Sequence, residues 1–285
     1  MMYDAFIFKT KDAFYIDCDA QSQEGLFLHL QTYNLRSKTS IFMIPDNSDL
    51  SVAFSLNENR TLPSLAQLHD PRTVWQMQRF LVKTTEYKAF AESNSESLIR
   101  EGRYNRERIL AGVPEGPFEI AAQKAIPLEY NFDLMKAIDM HKGCYLGQEL
   151  ITRTLHRGVV RKRLFPLLFH YFNYESGEPE GFTGFDADSD LTENLDRQTE
   201  ILATAIQGEA TENDAFIIPK GKLRILNKND PVGRLVSAHA NIGLGLMRLD
   251  QLRVFQKNLA LLDHIKQKWL LADVTIPAHL QSVLE

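Results

Sequence analysis

The residues best suited to chemistry lie in one short run, Lys142-Gly143-Cys144-Tyr145-Leu146-Gly147-Gln148-Glu149. Cys144 stands three residues before Gly147, where a helix Gly147–Arg157 is expected to begin, and two after Lys142. A helix N-terminus presents unpaired amides and about half a positive charge. With a neighbouring ammonium, it favours the thiolate, the form of cysteine that binds metals and attacks electrophiles. Gly143 and Gly147 allow tight backbone turns on either side of the thiol. Gln148 and Glu149 fall in the first helical turn, where a carboxylate is electrostatically favoured. The competing reading is a small buried hydrophobe, the ordinary state of a lone cysteine. His141 and His156 flank the run and could each give a nitrogen ligand to a shared cluster. As single histidines near a loop and a helix end, they read first as structural.

The elements that must position these residues follow from periodicity. Tyr3–Phe8 and Phe14–Cys18 read as strands, and Ser22–Leu35 as a helix with Leu26, Phe27, Leu30 and Tyr33 on one face. Ile41–Ile44, Val52–Leu56 and Val74–Val82 read as further strands, and Leu98–Leu110 as a helix stopped by Gly112 and Pro114. In the helix Gly147–Arg157, the apolar residues Leu150, Ile151 and Leu155 are expected on one face. This order indicates an α+β layer over residues 1–158.

After Val159 the character changes. Arg161–Phe172, Phe216–Ile218, Leu223–Leu226, Val232–Ala238 and Ile242–Leu249 are short apolar runs between turns, the pattern of a small antiparallel barrel over 159–249. Asn173–Asp214 is rich in Glu, Asp, Gly and Thr, with Arg197 its only basic residue, and is expected to be a disordered insertion. From Asp250 onward, Leu259, Leu262, Ile265 and Trp269 suggest a helical tail over 250–285. No internal repeat is visible.

Composition narrows the class. A chain of 285 residues, 44% hydrophobic, can bury a core and has the length of about two domains. A net charge of −5 argues against a uniformly basic, nucleic-acid-binding surface. No run of about 20 apolar residues is present, so no membrane span is expected. Cys18 and Cys144 are the only cysteines. They exclude a disulfide framework, and within one chain they exclude a four-cysteine cluster site. The start, Met1–Phe8, reads as a strand, without the layout of a signal or presequence.

The eight-residue run, followed by Gly158-Val159-Val160-Arg161-Lys162-Arg163-Leu164-Phe165, resembles the YgfZ family of relatives of the folate-dependent glycine-cleavage T protein, an aminomethyltransferase. It is most similar to the mitochondrial branch that helps to build four-iron clusters. Asp70-Pro71-Arg72, Gly112-Val113-Pro114-Glu115-Gly116, Pro127-Leu128-Glu129 with Asn131, Val232-Gly233 and Asn241–Leu246 extend the resemblance, leaving out the insertion and the tail.

The resemblance implies folate-binding α+β lobes followed by the barrel, a tetrahydrofolate ligand, and cooperation with A-type iron–sulfur carriers in the mitochondrial matrix. Cys144 would contact a transient cluster shared with a partner. Glu129 matches the acid that holds the pteridine ring. A carboxylate can accept paired hydrogen bonds from an aminopyrimidine edge; the alternative is a solvated loop acid. Arg161, Lys162 and Arg163 could attract a polyglutamyl tail or an acidic partner, or simply form a solvated face. Family members carry further residues, ending in a Gln-Gly-Arg-like turn, ahead of the Tyr3 strand. The chain is therefore expected to be truncated at its N-terminus, lacking strands of the first lobe and part of the ligand pocket. Two rival functions remain open here, a folate-dependent aminomethyltransferase and a non-catalytic scaffold with an inert Cys144.

Overall fold

The structure is a computed structural model. It describes residues 1–45, 48–56, 61–72, 77–93, 101–139, 142–145, 147–173, 178–179, 195, 199–206, 214–217, 223–226, 230–256, 259–263 and 268–284. Its contacts divide the chain into two compact units. One is Met1–Tyr104 with Glu115–Ala125; the other is Asn105–Pro114 with Ile126–Glu285. The division therefore falls earlier than the expected break at residue 158.

In the first unit, β1 (Phe6–Lys9) and β2 (Phe14–Asp17) form an antiparallel hairpin with Ile7 opposite Ile16. Alternation turns Phe8 inward and leaves Ile7, Phe14 and Ile16 exposed. Asp19 accepts the Gln21 N–H ahead of α1 (Gln23–Tyr33). β3 (Ser51–Ser55), β4 (Ala66–His69) and β5 (Gln78–Val82) form an antiparallel sheet in the order β3-β5-β4, with every residue of the central strand buried. α2 (Thr84–Ser93) follows, its first turn tied by Asp49, which accepts from the Thr85 N–H and hydroxyl at 2.8 Å each. Next come α3 (Glu101–Leu110), which belongs to the second unit from Asn105 on, and α4 (Gly116–Glu119). The expected strand Ile41–Ile44 joins no ladder among the described residues, and Phe42 is 81% exposed. The apolar run finds no strand to pair with.

After Ile126 the second unit holds α5 (Gln148–Arg157) and β6 (Lys162–Asn173). The chain continues through β7 (Glu178–Pro179), β8 (Glu200–Ile201), β9 (Ala203–Ile206), β10 (Asp214–Ile217), β11 (Leu223–Leu226), β12 (Gly233–His239) and β13 (Ile242–Arg248). After the short α6 (Leu249–Leu252) come β14 (Leu259–Asp263) and β15 (Lys268–Val274). Six strands run in the order β14-β15-β6-β13-β12-β8, all neighbours antiparallel, and β7 pairs separately with β6. Leu202, just past β8, exchanges backbone bonds of 2.9 and 2.8 Å with Ala260 on β14, which nearly closes the path into a barrel. β9, β10 and β11 form a separate three-stranded sheet, so β10 and β11, expected from their apolar runs as barrel strands, lie outside the barrel ladder. Phe165, Leu167, Phe169, Ile201, Leu259 and Leu261, all 0% exposed, fill the barrel core. Gly243 on β13 is the tight point. A Cβ there would stand 2.6 Å from the Ser237 carbonyl oxygen and 2.9 Å from the Phe169 ring.

Two expectations are corrected. The tail is not a helix: its apolar residues build β14 and β15, followed by a 3₁₀ turn at Ala278–Val283. Leu259, Ala260 and Leu261 are consecutive and all fully buried, which suits a strand covered on both faces and not a one-faced helix. The insertion Asn173–Asp214 also contains β7, β8 and β9, and β8 is a barrel strand. Acidic composition masked the short apolar run at Ile201-Leu202-Ala203. The rest of that segment, apart from Leu195, Thr199 and Leu202, lies outside the described residues.

Candidate functional site

The run around Cys144 forms a turn that leads into α5. Gly147 is the residue before the first helical turn and adopts φ +86°, ψ 0°, left-handed geometry that costs a residue with a Cβ about 1–2 kcal/mol. Its carbon faces open space, so backbone conformation and not crowding selects glycine there. Gln148 closes the turn twice: its N–H donates to the Tyr145 carbonyl at 3.2 Å, and its Oε1 accepts the Tyr145 N–H at 3.3 Å. Lys142 places its ammonium 4.6 Å from the Tyr145 ring centroid, a cation–π contact. Cys144 is exposed at the apex of this arrangement. The thiol is therefore presented to solvent, and the reading of Cys144 as a buried hydrophobe is set aside. Glu149 points outward, its carboxylate 2.6 Å from the exposed Arg153 guanidinium. His156 is exposed on the same helix. His141 and Leu146 lie outside the described residues.

Leu150 and Leu155, expected with Ile151 on one buried face, are 54% and 40% exposed, while Ile151 is 8% exposed. On a helical wheel Leu150 falls about 100° from Ile151, on the outward side with Arg153.

Around Pro127-Leu128-Glu129 the chain is clamped onto β6. The Asn131 side chain, fully buried, donates to the Leu164 carbonyl at 2.7 Å, and the Leu164 N–H donates to the Glu129 carbonyl at 2.9 Å. Arg163 makes two bonds of 2.8 Å to Asp133 and one of 2.9 Å to the Leu128 carbonyl. Arg163 is thus consumed by an internal clamp, whereas Arg161 and Lys162 are exposed. Glu129 is half-buried. Burial pushes its carboxyl above the usual range, against the charges of Lys162 and Arg234.

A polar cluster in the first unit had no assigned role in the sequence. Asp70 takes the Arg72 guanidinium in a fork, at 2.9 and 2.7 Å. Glu115 Oε1 accepts from Arg72 at 2.6 Å, from Arg79 at 2.9 Å and from the Tyr104 hydroxyl. The Phe6 ring packs on both guanidiniums, with centroids 4.3 and 3.7 Å away. Burial works against the Asp70 anion, but the bonds and charge of Arg72 hold its carboxyl below the usual range. Asp4 and Asp17 go the other way. Burial raises both, opposed for Asp4 by the Gly116 N–H and for Asp17 by the Arg79 charge. These groups line a cavity of about 200 Å³ with Asp19 and Cys18. A larger opening of about 370 Å³, lined by Phe8, Tyr15, Leu50 and Val52, shares Asp17 and Cys18 with it. Asp4 and Phe6, Asp17 to Asp19, and Asp70 and Arg72 are short local groups in the sequence. These groups are far from one another along the chain, so no local spacing announces the cluster.

Comparison with known proteins adds identity to this geometry. Residues 161–279 match the family model of the CAF17 C-terminal β-barrel domain, a feature of the YgfZ/CAF17 group, and so include the strands β14 and β15. The chain is 32% identical over 257 residues to the mitochondrial iron–sulfur cluster assembly factor IBA57 homologue of Neurospora crassa, matching 84% of this chain and 55% of that protein. It is 30% identical over 277 residues to the homologue of Dictyostelium discoideum, matching 86% of this chain and 67% of that protein. The human IBA57 protein is 32% identical over 188 residues, 59% of this chain and 50% of its own length. The chain spans about half the length of most of the curated relatives it matches. With that breadth of similarity, and with the barrel domain matched, the chain belongs to the IBA57 family within the YgfZ/CAF17 group.

Proposed function

We propose that the chain assists iron–sulfur cluster assembly in the mitochondrial matrix, on the way to four-iron proteins, with Cys144 as the residue that meets iron, a persulfide or a partner thiol. The observation that carries this reading is the exposed thiol, held at the start of α5 by the Gly147 turn and the paired Tyr145–Gln148 bonds. The relatives are named as mitochondrial assembly factors, which supports both role and compartment. Among the described residues, no three His, Cys, Asp or Glu side chains are grouped to hold a metal ion. One thiol supplies one ligand, so the cluster is cargo completed by a partner. A-type iron–sulfur carriers suit that need.

Tetrahydrofolate fits Glu129 as a second ligand. No described side chain hydrogen-bonds its half-buried carboxyl, which leaves both oxygens for an aminopyrimidine edge. Arg163, tied to Asp133, does not contribute to such a site. When bound, the folate would supply a nitrogen that accepts one-carbon units.

The test is anaerobic mixing with an A-type carrier loaded with two-iron clusters, followed by visible absorption and Mössbauer spectra, wild type beside Cys144→Ala. Cluster formation that depends on Cys144 is the expected result. If neither protein touches the cluster and both bind tetrahydrofolate, the assembly reading gives way to the aminomethyltransferase one.

A further inference from the structure

The charge of this chain is unevenly distributed around the exposed thiol. From Lys142 to Lys162 the sequence holds Lys142, Arg153, Arg157, Arg161 and Lys162 against one acid, Glu149, in a protein whose net charge is −5. That acid is engaged by Arg153 across one helical turn. Lys142, Arg161 and Lys162 are all exposed. The same stretch exposes apolar side chains: Leu150 at 54%, Leu155 at 40% and Val159 at 79%. A single exposed leucine needs no explanation. Leu150 shares the outward side of α5 with Arg153, and Val159 stands two residues before Arg161, whereas Leu155 falls about 40° from buried Ile151. Exposed apolar side chains set among cations are the make-up of a protein interface.

We infer that this strip, the outward side of α5 with its two flanks, is the docking surface for a protein partner with an acidic face. The inference rests on the assembly-factor reading and names the chemistry of the partner that reaches Cys144. Charge complementarity selects the occupant. A glutamyl tail could meet the cations, but its carboxylates bring no apolar surface to cover Leu150 and Val159. A nucleic-acid backbone would gain nothing from the leucines and valine, and would be repelled by the negative remainder of the chain. An acidic protein face gains from both parts of the strip, and it brings a cluster ligated on its own side within reach of Cys144.

The test uses the full chain and the A-type carrier, with binding measured by titration calorimetry at 50 and 300 mM salt. Wild type is expected to lose affinity at least about tenfold across that salt range. An Arg161→Glu/Lys162→Glu variant should lose about tenfold at low salt, and Leu150→Ser a smaller factor at both salt concentrations. Lys9→Glu/Lys11→Glu, an equal charge reversal at exposed sites in the first unit, should leave affinity unchanged. An Arg161→Gln/Lys162→Gln variant, checked by thermal melting, guards against misfolding and should show an intermediate loss. Salt-insensitive binding, or equal losses in strip and control variants, overturns the docking surface while leaving the assembly role intact. Displacement of the carrier by a pentaglutamate peptide reassigns the strip to an anionic tail and overturns it too. Failure of wild type to bind the carrier at all overturns the partner reading and this inference together.

Discussion

At the scale of single residues, the two cysteines have opposite surroundings. Cys144 is exposed, in a segment rich in cations. Cys18 is half-buried; burial raises its thiol, and the carboxylates of Asp17, Asp19 and Asp4 raise it further. Less thiolate at pH 7.5 means slower alkylation. Native labelling with iodoacetamide, read by peptide mass spectrometry, should modify Cys144 about tenfold faster than Cys18 or more; equal rates would refute the contrast. The Arg163 clamp gives a second residue-scale expectation. Its guanidinium is 8% exposed and Asp133 is 14% exposed. Removing one partner of such a pair strands a buried charge. Asp133→Ala should therefore lower stability by about 3–5 kcal/mol in denaturant unfolding, whereas Arg163→Met with Asp133→Leu should recover much of that loss. The Cys144 turn was legible because its residues are contiguous, and a motif of that kind survives without a structure. The bond between Arg163 and Asp133 was not legible. A basic triplet entering a strand looks the same whether its third member faces solvent or an acid thirty residues earlier.

At the scale of elements, the barrel strands of the middle region and α1, α3 and α5 were readable to within a few residues, because alternation and capping are local. The tail was misread for a physical reason. Leu259, Leu262 and Trp269 fall at helical spacing by coincidence, inside a strand pair whose register matches Leu262 with Trp269. A fully buried strand has no polar face to supply alternation, so only its neighbours identify it. The second unit buries one histidine on a barrel strand and half-buries another in the turn after β15. His170 on β6 is 6% exposed, and its Nε2 has no hydrogen-bond partner; burial lowers its pKa, against the charge of Asp273. His279 is lowered by burial as well. For a base whose folded pKa lies below its unfolded value, stability is complete above the unfolded value near 6.5 and is lost as pH falls through it. Each unit of depression is worth about 1.4 kcal/mol at pH values below both. The melting temperature should therefore drop between pH 7 and pH 5, and His170→Leu should reduce that drop. An unchanged slope in the variant would remove His170 as a cause.

At the scale of the whole molecule, the two units are built with very different security. β6 is hydrogen-bonded along both edges, to β13 and β15, and β13 lies between β6 and β12. Leu164, Phe165, Leu167, Phe169, Ile242 and Leu244 on these two strands are all fully buried. Opening any of their amides means breaking the barrel, so their exchange with solvent should approach the free energy of global unfolding. Among the described residues, β1 and β2 have only each other as ladder neighbours. Their outward face leaves Ile7 at 60%, Phe14 at 67% and Ile16 at 42% exposed. A two-stranded ribbon is marginal unless one face is packed, and here Phe8 on the inward face supplies most of the anchoring. Hydrogen exchange followed by mass spectrometry should find peptides from β6 and β13 protected about a hundredfold more than those from β1 and β2. Comparable protection in the hairpin would mean that its apolar face is covered in solution. That outcome would show up as a smaller surface accessible to labelling at Phe14 and Ile16, not as a change in the barrel.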